Sequence, residues 1–526
     1  MGSVWRDLVS NLPDPLISHI LSFIPTKEAA STSVLSKRWR FLFASVTNLE
    51  FKSNGDDDDD YDDDEASTSF MEFVERVLAL QGTAPINRFS LECCGHPDQA
   101  RVTSWILNAL KRGVSDLDLA LSEYPLPAEI FLSKTLVKLK LGQANDLSFS
   151  NAVKKVCLPK LKTLDIDCVV FEAGGVGFAK LLSGCPVLEE LALMNIGWEY
   201  WKACSVNVKT LKRLTFSCED ENDDENPKSV SFNTPNLKYL EYSDTIAKKY
   251  PKVNFGSLVE AHISLRMTED QIADATISDD GYFSEGDDDD SEEKEMVGDA
   301  TAFLMGLCNV RILYLSATTL EVLTYCCEPT PVFNNLNQLT VESNSETGWD
   351  SLPALLINCP NLETLIFEGL VHKDNGGCGN MCCCKRPKQS SCLLFSPVKV
   401  LKIVMDVNYD VEETMEVKQV KHFLKTMPCL EQLIVYYKTS YDPSVFELSK
   451  KLQKVRVMAS PKCKIQVISP NLSLTSTLPS SLTRRWSTAP PEEEEYAPPA
   501  AEFAPSKEEY DPYDECYSSE DEMSWL

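Results

Sequence analysis

One pattern of apolar and polar positions runs through most of the chain: an apolar residue, two variable residues, an apolar residue, one variable residue, and a third apolar residue. Clear copies are Leu136/Leu139/Leu141, Leu161/Leu164/Ile166, Leu188/Leu191/Leu193, Leu211/Leu214/Phe216 and Leu237/Leu240/Tyr242, followed by Val310/Leu313/Leu315, Leu336/Leu339/Val341, Leu362/Leu365/Phe367, Val398/Leu401/Ile403, Leu430/Leu433/Val435 and Leu452/Val455/Val457. Weaker ones are Val46/Leu49/Phe51, Ile86/Phe89/Leu91, Val114/Leu117/Leu119 and Leu258/Ala261/Ile263. The alternation inside each copy is that of a short strand with its apolar side chains pointing one way. Clear copies from 136 to 237 begin 25, 27, 23 and 26 residues apart. That interval is too long for hairpins and fits one strand and its return stacked on the next, a solenoid with a parallel sheet. A sandwich needs turn signals every 8–12 residues, and these are absent. Prolines at 159, 186, 235, 360 and 428 stand just before the first core position, where they stop a preceding helix and favour an extended approach.

Two stretches follow a helical period instead. In 70–80, Phe70, Phe73, Val74, Val77 and Leu78 form one stripe. Between Leu8 and Phe43, Asp14 is expected to cap a helix with Pro15 in its first turn, and Ile17, Ile20, Leu21 and Ile24 form its stripe until Pro25. Thr26 is expected to cap a second short helix with Ala29, Ala30, Val34 and Leu35. Ser36 is expected to cap a third with Trp39, Leu42 and Phe43. Three short helices cannot bury so many large side chains among themselves, so a partner is expected.

Leu12-Pro13, Leu16, Ile20-Leu21, Pro25 and Val34-Leu35-Ser36-Lys37-Arg38-Trp39-Arg40 resemble the plant F-box, a three-helix module that docks on the Skp adaptor of the SCF ubiquitin ligase. Phe43 stands where this subfamily usually has a second tryptophan. The repeats resemble the degenerate leucine-rich repeats that follow plant F-boxes, and 397–468 is similar to the FBD region, with EVKQVKHFLKTMPCLEQLIV (416–435) followed by Ala459-Ser460-Pro461-Lys462-Cys463. The resemblance implies an α/β chain with an F-box at 1–45, a leucine-rich-repeat solenoid at 46–396 whose parallel sheet lines its concave face, FBD-like repeats at 397–470 and an acidic tail at 471–526. It also implies a non-catalytic substrate-recognition subunit. Leu12, Pro13, Leu16, Ile20, Leu21, Leu35, Ser36 and Trp39 would face the Skp adaptor, which leads to cullin and RING subunits. A module that merely seals the first repeat is the plainer alternative.

Charge alters this picture in one respect. The net charge of −30 is concentrated at 56–65, 219–225, 268–300 and 484–526. These four tracts hold more negative charge than the chain's whole balance, which leaves the repeats mildly basic. Runs of like charge stay solvated, so the tracts are expected as insertions or a disordered tail. An acidic repeat protein that binds basic partners such as histones is the alternative function. Nucleic acid is disfavoured by the overall sign. No basic start precedes an apolar run and no stretch is long and apolar enough to span a bilayer, so the 19 cysteines are expected to be thiols in nucleus or cytoplasm.

Candidate chemistry is sparse. There is no glycine-rich phosphate loop, H-E-x-x-H or G-x-S-x-G, and the five histidines, at 19, 96, 262, 372 and 422, are scattered. Cys378, Cys382, Cys383, Cys384 and Cys392, with His372 nearby, include zinc-ligand types, but a second C-x₂-C pair is missing. The expectation is an inter-repeat loop and no cofactor, with Cys378, Cys382, Cys384 and Cys392 as the residues a metal would use. The outward strand positions offer a surface for a target protein, with Lys138, Lys140, Arg213, Tyr239, Tyr314 and Tyr436 as contacts and Lys402, Lys454 and Arg456 beside them.

Overall fold

The structure, a computed structural model, describes residues 12–53, 64–93, 98–121, 126–142, 155–167, 176–195, 203–218, 226–279, 298–373, 378, 381–383, 392–405, 414–438, 442–459, 462–470 and 472–475. The chain divides into two units, Met1–Arg485 and Trp486–Leu526, and every described residue belongs to the first. The acidic runs at 219–225 and 484–526, most of those at 56–65 and 268–300, and Cys384 lie outside the described residues.

Among the described residues, sixteen strands form one sheet in chain order, apart from a separate sheet of three described below. From Asn48–Lys52 to Lys464–Ile468 each strand pairs in parallel with the next, and only the last, Ser473–Thr475, returns antiparallel. The register carries the sequence pattern directly. Leu139, Leu164, Leu191, Leu214, Leu240, Ala261, Leu313, Leu339, Leu365, Leu401, Leu433 and Ile465, the middle core position of successive units, stand side by side in one row. All are buried, so the weak copy with Ala261 is as much a unit as its neighbours. Each strand thereby closes its neighbour's apolar edge, which is why no single repeat needs a core of its own. The chain is an α/β solenoid with this parallel sheet on its concave face. Asn236 and Asn361, each following one of the marker prolines, donate from their side chains to the carbonyls of Lys209 and Asn334 one unit back, both at 2.8 Å. These bonds satisfy carbonyls that the turns leave unpaired.

Two expectations need correction, and one sheet is new. Leu452/Val455/Val457 is not a strand: Asp442–Ala459 is a helix that buries Val445, Leu448 and Leu452, and the strand of that unit is Lys464–Ile468, with Ile465 and Val467 inward. A spacing of three also fits one helix face, so the pattern admits both forms. Lys454 and Arg456 therefore sit on that helix rather than beside the strand positions. The tract 268–300 is not wholly a solvated insertion: Glu269–Asp279 is a helix whose Gln271 accepts from Asn226 at 3.1 Å, and Ala300 is buried with its N–H donated to Cys326 O at 2.8 Å. A second parallel sheet, Ala203–Val206, Ser229–Asn233 and Val253–Asn254, was not anticipated. It replaces helices as the return layer for three units and buries Cys204, Val206, Val230 and Phe232.

Candidate functional site

The N-terminal module consists of α1 (Asp14–Leu21), α2 (Thr26–Ser31) and α3 (Lys37–Ala44), with a 3₁₀ turn at Thr32–Val34. Ser36 caps α3 as expected, its Oγ accepting from Trp39 N at 3.4 Å. The other two caps differ. Pro13 takes the cap position of α1, because the carboxylate of Asp14 is turned to Arg38, and Thr26 follows Pro25 as the first residue of α2. The Thr26 hydroxyl instead accepts from Glu50 N at 2.7 Å and ties α2 to the first strand of the solenoid. Asn48 adds a second tie by donating to Ser22 O at 3.2 Å.

The apolar residues of α1 split between two faces. Ile17 and Leu21 join Ala29, Leu42 and Phe43 in a core continuous with the first repeat. Leu16 and Ile20, on the other side, are about half exposed, at 51% and 49%. Phe23, Val34, Leu35 and Phe41 are more open still, Val34 at 84%. The inner face does seal the first repeat, as the plainer alternative held, but the outer face remains as a band of six large apolar side chains on about thirty residues. Scattered single apolar residues on a surface need no explanation, whereas such a concentration is characteristic of an interface. Of the residues singled out from the sequence, Leu16, Ile20 and Leu35 belong to this face, with Pro13 and Ser36 exposed beside it. Leu12 and Trp39 are partly buried against the core, and Leu21 points inward, where it supports the face from below. Phe23 and Phe41 were missed because neither falls in the helical stripe.

The outward strand positions form a second surface. Arg213 stacks its guanidinium 3.9 Å from the centre of the Tyr239 ring, Tyr239 lies 5.4 Å from His262, and His262 stacks on Tyr314 at 5.5 Å with planes 16° apart. This ladder crosses four adjacent strands. Carboxylates fix its polar ends: Tyr239 Oη donates to Glu241 at 3.1 Å, Tyr314 Oη donates to Glu342 at 3.2 Å, and His262 Nε2 pairs with Glu260 at 2.9 Å. Burial, and then the Glu241 and Glu342 charges, raise the pKa of both phenols, so the rings stay neutral. Arg213, Tyr239 and Tyr314 were expected here; His262, one of the five scattered histidines, completes the row. Lys138 and Lys140 stand elsewhere: their register neighbours are Asp116, Asp118 and Asp165, so that end of the face is charge-balanced rather than basic. Tyr436 lies four strands beyond Tyr314, next to Val404 and Ile468.

Comparison with known families agrees with this anatomy. Residues 9–51 match the F-box domain, and residues 102–256 match the repeats described as "FBD-associated F-box protein At5g56370, LRR repeats". The chain is 67% identical over 495 residues to F-box/LRR-repeat protein At3g59200 of Arabidopsis thaliana, covering 94% of each chain. The chain belongs to the F-box/LRR-repeat family. It is also 54% identical to F-box/LRR-repeat protein At3g59210, over 92% of this chain and 99% of the relative, and 46% identical to putative F-box/FBD/LRR-repeat protein At3g59240, over 89% and 90%, both from the same plant. F-box domains generally bind Skp-type adaptors, and F-box/LRR proteins are generally non-catalytic.

Within this F-box/LRR-repeat protein the cysteine-rich loop after Phe367 is partly built into the solenoid. Cys378 and Cys382 are buried close to His372, whereas Cys392 opens the short helix Cys392–Phe395 outside that cluster. Burial raises the pKa of the Cys383 and Cys392 thiols, which makes both poor thiolates.

Proposed function

We propose that this protein is the substrate receptor of an SCF-type E3 ubiquitin ligase. The outer F-box face would dock on a Skp-type adaptor, which brings cullin and RING subunits, and the solenoid would hold the target. What carries the reading is the apolar set of Leu16, Ile20, Phe23, Val34, Leu35 and Phe41, left open on a module whose Ile17, Leu21, Ala29, Leu42 and Phe43 are packed into the core. Covering such residues excludes water from apolar surface at about 25 cal/mol per Å² of area buried, enough for a stable dock over a modest footprint.

No residue of this chain need react. Holding a target lysine near a charged ubiquitin carrier turns a bimolecular encounter into a local one. The aromatic ladder suits target recognition because Tyr and Arg dominate binding energy where they are rigid and partly desolvated, as the Glu241 and Glu342 contacts make these. Nucleus and cytoplasm, where ubiquitin ligases of this type work, are the proposed location.

The test is affinity capture from plant cells with proteasome and cullin activity blocked. The reading requires a Skp-type adaptor together with a target whose recovery falls on Tyr239→Ala plus Tyr314→Ala while adaptor recovery holds. Recovery of histones without any adaptor would replace it with the alternative of an acidic protein that binds basic partners.

A further inference from the structure

His372, Cys378 and Cys382 lie outside helices and strands, and one ligand-type atom from each lies within 4.8 Å of the others. Both cysteines are buried. A tetrahedral ion with zinc–sulfur and zinc–nitrogen bonds of about 2.0–2.3 Å sets its ligand atoms roughly 3.5–3.8 Å apart, so these three need to close by only about 1 Å. We propose that the reduced protein binds a zinc-class divalent metal ion through His372, Cys378 and Cys382.

The surroundings hold the donors as a metal site requires. His372 Nδ1 lies 3.3 Å from Leu370 O, which as an N–H···O bond leaves the lone pair on Nε2. Metal-binding histidines usually fix their tautomer through such a bond. The ring stacks at 4.1 Å on Trp349, whose own Nε1 donates to Ser343 Oγ at 2.9 Å. The buried Gln419, from the helix Met415–Thr426, donates to Met381 O at 2.6 Å and accepts from Cys383 N at 2.9 Å. Trp349 and this helix therefore hold the donor His372 and the two neighbours of Cys382 in the chain. Such a buried, clamped set suits a structural ion that fastens the loop.

Donor chemistry selects the class of metal. Two thiolates and an imidazole favour zinc and its neighbours over calcium or magnesium, which take oxygen ligands. The fourth position falls to water. Other buried cysteines show the contrast: Cys185 and Cys359 have thiols pushed up to about 12 by burial, and neither belongs to a group of three donors among the described residues.

Cys382 is disulfide-bonded in this structure, so metal binding belongs to the reduced form. A dithiol supplies the two electrons and two protons that open the bond into two thiols, and itself leaves as a disulfide. The Cys378 and Cys382 thiols each release a proton to solvent as the ion binds, so affinity falls on acidification.

The experiment uses the full chain, purified under a phosphine reductant, with metal counted by mass spectrometry and the chelated protein refilled with cobalt. The wild type is expected to carry about one zinc per chain, as a structural site would, and to show a thiolate-to-cobalt charge-transfer band. Cys378→Ser plus Cys382→Ser should lose both signals, and Cys429→Ser should keep them. His372→Cys, which preserves a soft donor, should retain metal with an altered cobalt spectrum, a readout that holds even if the double variant folds poorly. Zinc well below one per chain in the reduced wild type overturns the proposal. So does a cobalt band that survives the double change, or one unaltered in His372→Cys.

Discussion

Arg38 on α3 grips Asp14 at the start of α1. Its Nη2 and Nε donate to Asp14 Oδ1 at 2.6 and 2.9 Å, and Nη2 also donates to Leu12 O at 2.6 Å. One side chain thus orients both the first helix and the Leu12-Pro13 approach to it. The carboxylate is largely exposed, so the ion pair itself contributes at most about 1 kcal/mol.

The bond from a charged donor to the Leu12 carbonyl adds to that, since hydrogen bonds involving a charged group are worth about 1.5–3 kcal/mol. Arg38→Ala should therefore loosen α1 more than Asp14→Asn, which leaves the Leu12 bond in place. Hydrogen exchange over 14–21 checks this. Equal acceleration in both variants would show that the Leu12 contact carries no weight.

Tyr242 occupies a core position of its repeat but keeps a polar duty there. Its Oη donates to Asp244 Oδ2 at 2.7 Å, and Asp244 Oδ1 accepts from Thr245 N at 2.8 Å, with Tyr242 and Asp244 wholly buried. Tyr242→Phe preserves the ring packing against Phe216, Phe232 and Phe303 and removes one donor from a buried carboxylate. The expected cost is about 1–3 kcal/mol in denaturant unfolding. A loss below about 0.5 kcal/mol would mean that the carboxylate is satisfied without the phenol.

Asp165 sits half-buried beside Lys140, and burial, opposed by Lys140 and reinforced by Asp167 and Asp118, holds its pKa above the usual aspartate range. A carboxyl whose pKa is raised on folding favours the native state while protonated, and that contribution is lost as pH rises through the folded value. Asp165→Asn should accordingly stabilise the protein more at pH 8 than at pH 5. Unfolding midpoints at the two pH values measure it. The reverse order would make the Lys140 pairing the dominant influence.

The solenoid was legible because its strands state their identity twice, in the period-two alternation and in the 23–27-residue interval between clear copies. Even Ala261, a weak core residue, takes its place because strands on both sides impose the register. The last copy misled for a physical reason: Leu452 and Val455 satisfy the face of a helix as well as the start of a strand, and only the later Ile465 and Val467 show where the edge is continued. The sheet through Ser205 and Ser231 was hidden because four- and five-residue strands with serine outward look like loop sequence.

The exposed apolar face of the N-terminal module was legible as a set of residues and not as a surface. Leu16 and Ile17 are adjacent in the chain, yet Ile17 is buried and Leu16 about half exposed, and a one-sided stripe cannot express a helix whose apolar residues are both inside and outside. Thr26 and Asp14 looked like caps because their side chains suit that role. Both are drawn away by stronger partners from elsewhere, Glu50 N and Arg38, which no local pattern reveals.

Binding of a purified Skp-type adaptor to the full chain and to Ile20→Asp plus Leu35→Asp tests the central claim most directly. Both positions are exposed, so the fold should survive, which circular dichroism checks. Placing charge at the centre of an apolar interface typically removes a few kcal/mol of binding. The account predicts tight association for the wild type and a loss of roughly 100-fold or more, near 3 kcal/mol, for the variant. Equal affinity for both would contradict it.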